Sequence, residues 1–121
     1  MKIYYVLFLI FAISCIIACE KTSDGVAVRI NNSTTEDFKE IIFNNDSFTD
    51  VESDGITSYH RFERVIDLPS AILIDNNKDT AYIGIYYIDP PVSYFDKGKY
   101  TLKIFEDTSA YFGYNCIYVK D

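Results

Sequence analysis

The chain has 121 residues, 49% hydrophobic and 24% charged, with a formal net charge of −7. That length predicts one domain, able to bury roughly two-thirds of its unfolded surface in one core without staples. The acidic balance excludes nucleic acid as a partner, because phosphate contacts need Lys and Arg. It equally excludes a polybasic contact with anionic lipid.

Met1-Lys2 supplies one positive charge, and Ile3 to Ala18 then carries none. The apolar run is short for a membrane span, which needs roughly 20 such residues. Glu20 follows it where a basic stop would stand. The pattern is that of a secretory signal. Its end, Ile16-Ile17-Ala18-Cys19, is a branched apolar residue, a tolerated residue, a small residue and a cysteine. Residues 1–18 are therefore expected to be a cleaved signal peptide, 19–24 a short linker and 25–121 the folded domain. Without Lys2, 18 acidic side chains face 10 basic ones, a formal charge of −8. Cys15 leaves with the leader, and where Cys19 carries a lipid Cys116 is left without an intrachain disulfide partner even in an oxidising compartment. Its flanks, Asn115 and Ile117, offer no cation to activate a thiol. It reads as a small buried apolar residue.

On these residues the leader resembles that of a bacterial lipoprotein, and the whole chain is similar to the small lipoproteins of Bacteroidetes. The resemblance implies lipidation of Cys19, with palmitate as the kind of anchor. It also implies the membrane as a partner through that lipid, and a place at the bacterial outer membrane or cell surface, with the periplasmic face as the alternative. In that group an acidic stretch after the cysteine is associated with surface display. Here the stretch is Glu20-Lys21-Thr22-Ser23-Asp24, two acids split by a lysine.

From Gly25 the chain reads as short strands at near-regular spacing, an all-β pattern. Val26, Val28 and Ile30 alternate with Ala27 and Arg29. Asn31 to Thr35 is expected to break that strand as a turn cluster. Residues 38–44 form the next strand, with imperfect alternation because Phe38 and Phe43 differ in parity; a short helix is the rival. Residues 45–55 read as an acidic loop. Residues 56–65 are extended, and a bulge between Tyr59 and Phe62 would let both face the core. Ala71 to Ile74 is a wholly apolar strand. Asp75 to Asp79 is a hairpin turn, and 80–88 is the return strand, ended by Pro90-Pro91. Tyr100, Leu102 and Ile104 alternate cleanly within 99–105, and 111–119 form a last, tyrosine-rich strand.

Asp96-x-Gly98-x-Tyr100, with Leu102 two residues on, resembles the tyrosine corner of immunoglobulin-like sandwiches. That resemblance implies that Tyr100 buries its ring and bonds its hydroxyl to nearby backbone. Leu102 stands where an antibody-type domain has Cys, and the chain has no Trp. Similar Gly-x-Tyr motifs occur in transthyretin-like sandwiches. The expected fold is a single β-sandwich of about seven strands, immunoglobulin-like or transthyretin-like.

Chemistry is sparse. Asp50-x-Glu52-x-Asp54-Gly55 resembles the start of a calcium loop, but the twelfth position, which needs a bidentate carboxylate, is Arg61. Asp75-x-Asn77-x-Asp79 is a turn by the same spacing. His60 is the single histidine, too few for a zinc site. No Gly-x-Ser-x-Gly elbow and no phosphate-binding glycine loop is present. The reading is therefore non-catalytic, with no metal and no cofactor. Asp79-Thr80-Ala81 resembles the acceptor motif of Bacteroidetes O-glycosylation.

The expected function is binding or structural assembly by a lipid-anchored envelope lipoprotein, with an unknown protein or glycan as partner. A carbohydrate-binding module is one alternative; a surface-fibre subunit assembled by strand addition is another. The candidate surface is residues 81–88, apolar on both faces. With Ala81, Ile83, Ile85 and Tyr87 turned inward, Tyr82, Gly84, Tyr86 and Ile88 face outward. Tyr82, Tyr86 and Ile88 would then form a binding patch, with Gly84 leaving a gap between two rings.

Overall fold

In a computed structural model of the chain, residues 25–85 and 92–121 are described. They form ten strands: β1 Gly25–Ser33, β2 Phe38–Phe43, β3 Asp46–Val51, β4 His60–Phe62, β5 Val65–Ile66, β6 Ser70–Asp75, β7 Thr80–Gly84, β8 Tyr94–Phe95, β9 Lys97–Glu106 and β10 Tyr114–Lys120. One sheet has the order β10-β9-β1-β4 and the other β3-β2-β6-β7, while β5 and β8 make a small pair. The two larger sheets face each other across Val26, Val28, Ile30, Ile41, Leu73, Ile83, Leu102 and Ile104. The all-β sandwich is the expected class.

The strand order can be set beside the immunoglobulin-like one. An immunoglobulin-like sheet sets its first strand beside its second. Here β1 lies between β4 and β9, and β1 runs parallel to β9 over its whole length. Strands β2, β3, β6 and β7 are all in the other sheet. This order departs from the immunoglobulin-like one.

Several local expectations are corrected. The break expected over Asn31 to Thr35 begins later: β1 continues to Ser33, the chain bends from Thr34, and Asn32 is 0% exposed. The expected acidic loop contains β3. Asn44 and Asn45 both have left-handed φ, 50° and 63°, which is what a two-residue hairpin turn between β2 and β3 requires. Phe38 and Phe43 are both buried despite their opposite parity, because the β2–β6 register shifts between Phe38 and Glu40. Phe62 packs against the core, but Tyr59 lies ahead of β4 on the surface, with Arg29 at 4.9 Å and Lys99 at 5.4 Å from its ring centroid. Tyr111 to Gly113 precede the last strand.

Tyr100 is 9% exposed, and its ring stacks on Phe95 with centroids 4.3 Å apart. Among the described residues its hydroxyl makes no hydrogen bond. The ring burial implied by the corner motif is present; the hydroxyl bond is found on a different residue. Tyr118 meets Phe43, Phe95 and Tyr100 edge-on, and its hydroxyl donates to the Ile66 carbonyl at 2.9 Å. Burial pushes that phenol well above the usual tyrosine range. Tyr118→Phe is accordingly expected to cost on the order of 1 kcal/mol for the lost bond. Tyr100→Phe should be nearly neutral. Urea unfolding of both variants checks this, and the reverse order would return the corner role to Tyr100.

Cys116 is buried and free, and burial alone pushes its thiol up to about 12. It is a core side chain facing Ile104 across the β9–β10 ladder.

Candidate functional site

Two turns, each fixed by its own aspartate, bring aromatic side chains together at one side of the sandwich. In the β6–β7 turn, Asp75 Oδ1 accepts the backbone N–H groups of Asn77 and Asp79, both at 2.9 Å. Lys78 takes a left-handed φ of 64° there. The return strand β7 then alternates: Ile83 is buried, Ala81 packs against the core, and Tyr82 points outward, 52% exposed.

The second turn joins β9 to β10. Asp107 Oδ1 accepts the N–H and hydroxyl of Ser109, at 3.0 and 2.6 Å, and its other oxygen accepts the Asn115 amide at 3.4 Å. The Ala110 N–H donates to Asp107 O, the Gly113 N–H to Ala110 O, and the Asp107 N–H to Gly113 O. The loop is thus closed on itself, with Gly113 at φ +85°. It presents Tyr111, 94% exposed, and Phe112, 40% exposed. Their centroids are 4.8 Å apart, and Phe112 lies 6.2 Å from Tyr82.

The Ser109 hydroxyl, and after it the Ser109 N–H, hold the Asp107 carboxyl below its ordinary value. A depressed folded pKa stabilises the loop fully above the unfolded value, about 4. That stabilisation is lost as pH falls through the lower folded value. Amide resonances of residues 107–113 are therefore expected to shift and broaden below about pH 4, while those of β9 stay in place. Loop resonances unmoved down to pH 2 would show that another group organises the loop.

Phe112 also lines a cleft of about 380 Å³ with Phe38, Leu73, Ala81 and Tyr114, rimmed by Glu36, Asp75 and Asp79. A larger, open cleft of about 520 Å³ runs along β3 past Thr57 and His60. There the His60 ring stacks on Phe48 at 3.8 Å, and its Nδ1 lies 2.7 Å from Asp46 Oδ2. That hydrogen bond with His60 is the main cause that lowers the Asp46 pKa. The Ser47 hydroxyl donates to Glu40 and the Thr57 hydroxyl to Ser58 O. Among the described residues no hydroxyl or thiol is bonded to His60, and no three His, Cys, Asp or Glu side chains converge on a metal position.

The expected patch is altered by these positions. Tyr82 faces outward as expected, whereas Cys19, Tyr86 and Ile88 lie outside the described residues. Ile85, expected in the core, is exposed. Gly84 does not leave an open gap: a Cβ there would stand 2.1 Å from the Pro69 carbonyl oxygen, and φ is +85°. Ile85 N–H donates to that same carbonyl, so the glycine serves a close backbone approach that ends β7. Tyr82 meets Phe112, which in turn meets Tyr111; sequence reasoning put both Phe112 and Tyr111 in a strand. The signal that could have found them is the turn cluster Asp107-Thr108-Ser109 just ahead of the expected strand, with Gly113 near that strand's start. Compared with family models, curated proteins and solved structures, the chain matches none.

Proposed function

We propose that this chain is a lipid-anchored, non-catalytic binding module of the bacterial envelope, tethered through Cys19 and contacting its partner through Tyr82, Phe112 and Tyr111. The observation that carries the reading is that Phe112, on a loop fixed by its own hydrogen bonds, meets both its neighbour Tyr111 and Tyr82 of β7. Flat rings in mutual contact suit stacking on a sugar ring or on a partner side chain. A loop backbone already held in place loses little freedom on binding. The leader pattern ending at Cys19 supports the tether.

The test uses the full chain in its membrane. Tyr111→Ala with Phe112→Ala is expected to abolish partner capture or glycan-array binding and to leave the melting temperature within about 2 °C. Undiminished capture by that variant would remove the patch. Cys19→Ser is expected to abolish incorporation of a fatty-acid analogue. Equal labelling of both forms would remove the tether.

A further inference from the structure

The cleft beside the aromatic cluster has both an apolar floor and a negative rim. Phe38 and Leu73 are its buried floor, and Phe112 and Tyr114 line it. Phe38 and Tyr114 meet edge-on at 5.5 Å, which fixes that wall. Glu36, Asp75 and Asp79 stand around it. Asp75 spends one carboxylate oxygen on turn amides. Among the described residues none of the three has a cation in salt-bridge range; the described ion pairs, Arg29–Asp121 and His60–Asp46, are elsewhere. The negative potential is felt by a neighbour: burial raises the Tyr114 pKa, and Glu36, Glu106 and Asp75 raise it further.

We infer that this cleft receives a lysine or arginine side chain from an extended segment of a partner protein. The inference rests on the binding reading given above and names the chemistry of its partner. A long cationic side chain can lay its aliphatic stem on Phe38 and Leu73. Its charged end then lies among aromatic faces and carboxylates. A neutral sugar would have to desolvate the same carboxylates without a counter-charge. A polypeptide is favoured over a free amine by the position of the cleft. It lies where β7 and β10 meet, and these are edge strands of the two sheets. Edge backbone can bond an added chain, which a free amine cannot exploit. The formal charge of the whole chain, −7, has the matching sign.

The experiment measures fluorescence anisotropy of the detergent-solubilised full chain with a labelled peptide of alternating Lys and Val. A peptide with Gln for every Lys and free n-butylamine as competitor are run beside it. The Lys peptide is expected to bind at least about tenfold more tightly than the Gln peptide, and more weakly as salt rises. Glu36→Gln with Asp79→Asn is expected to remove that preference with the melting temperature unchanged. Butylamine is expected to compete poorly. Equal binding of the two peptides, or an unchanged preference in the double variant, overturns the inference. Full displacement by butylamine assigns the cleft to free amines and overturns it too. If the Gln peptide or a neutral glycan binds and Phe112→Ala abolishes that binding, the aromatic patch stands while the cationic ligand falls. If no probe binds and Tyr111→Ala with Phe112→Ala leaves partner capture intact, both readings fall.

Discussion

Tyr100→Ala is expected to lower the unfolding free energy by about 3–5 kcal/mol, the range for truncating a buried aromatic ring. The ring stacks on Phe95 with planes 10° apart and meets Tyr118 edge-on at 6.1 Å. It also closes over Gly98, where a Cβ would lie 3.2 Å from its Cε2. Removing it leaves Phe95 without a stacking partner and loosens the β5–β8 pair, in which Phe95 sits opposite Val65. A domain of this size has roughly 5–15 kcal/mol to lose, so the variant should sit near its threshold. Urea unfolding followed by tyrosine fluorescence reads the change. A loss below about 1 kcal/mol would place the ring outside the cooperative core.

Asn32→Leu is the second large effect, and its cause is polar. The Asn32 side chain is fully buried and makes four hydrogen bonds. Its amide donates to the carbonyls of Glu36 and Val51, at 2.8 and 3.2 Å. Its Oδ1 accepts the N–H and hydroxyl of Thr34, at 3.2 and 2.7 Å. Its backbone N–H donates to Gly55 O, and its carbonyl accepts from Asp54. One residue thus ties the end of β1 to the turn before β2, to β3 and to the segment after β3. Leu has a similar volume, so the core stays filled while buried polar atoms are orphaned, at roughly 1–3 kcal/mol each. A total of at least about 3 kcal/mol is expected. Asn32→Asp should be worse above about pH 5, because a carboxylate oxygen would face two carbonyl oxygens. A Leu variant as stable as the parent would mean that water replaces all four bonds.

Asn32 also shows where local reading fails. Asn-Asn-Ser-Thr-Thr is a turn cluster by every short-range rule. The strand runs into its first three residues because β9 pairs with it as far as Ser33↔Phe105, and the buried amide reaches Val51, which the local pattern cannot reveal. Strand β9 was legible because Tyr100, Leu102 and Ile104 all face one core. Strand β3 was not, because Phe48 and Val51 are both buried three residues apart. The left-handed Asp50 between them, φ 51°, resets the parity. Of the candidate site, Tyr82 could be read from β7 alternation. Tyr111 and Phe112 were missed, because the apparent strand over 111–119 hid the turn that Asp107 closes behind them. The absence of the immunoglobulin-like order was also invisible locally: Gly98-x-Tyr100 looks the same whichever strand lies beside it.

The parallel pairing of β1 with β9 sets when this chain can fold. Arg29 on β1 donates its Nε–H to Thr101 on β9, 72 residues further along. The β2–β3 and β6–β7 hairpins can close as soon as they are made, but β1 has no long neighbour until β9 has emerged. Closure of so long a loop is slow, and a first strand without a partner cannot commit the sheet. A chain emerging N-terminus first would therefore remain open until nearly all of it had been made. The same delay leaves Val26, Val28 and Ile30 uncovered until then, which exposes the nascent strand to unwanted association.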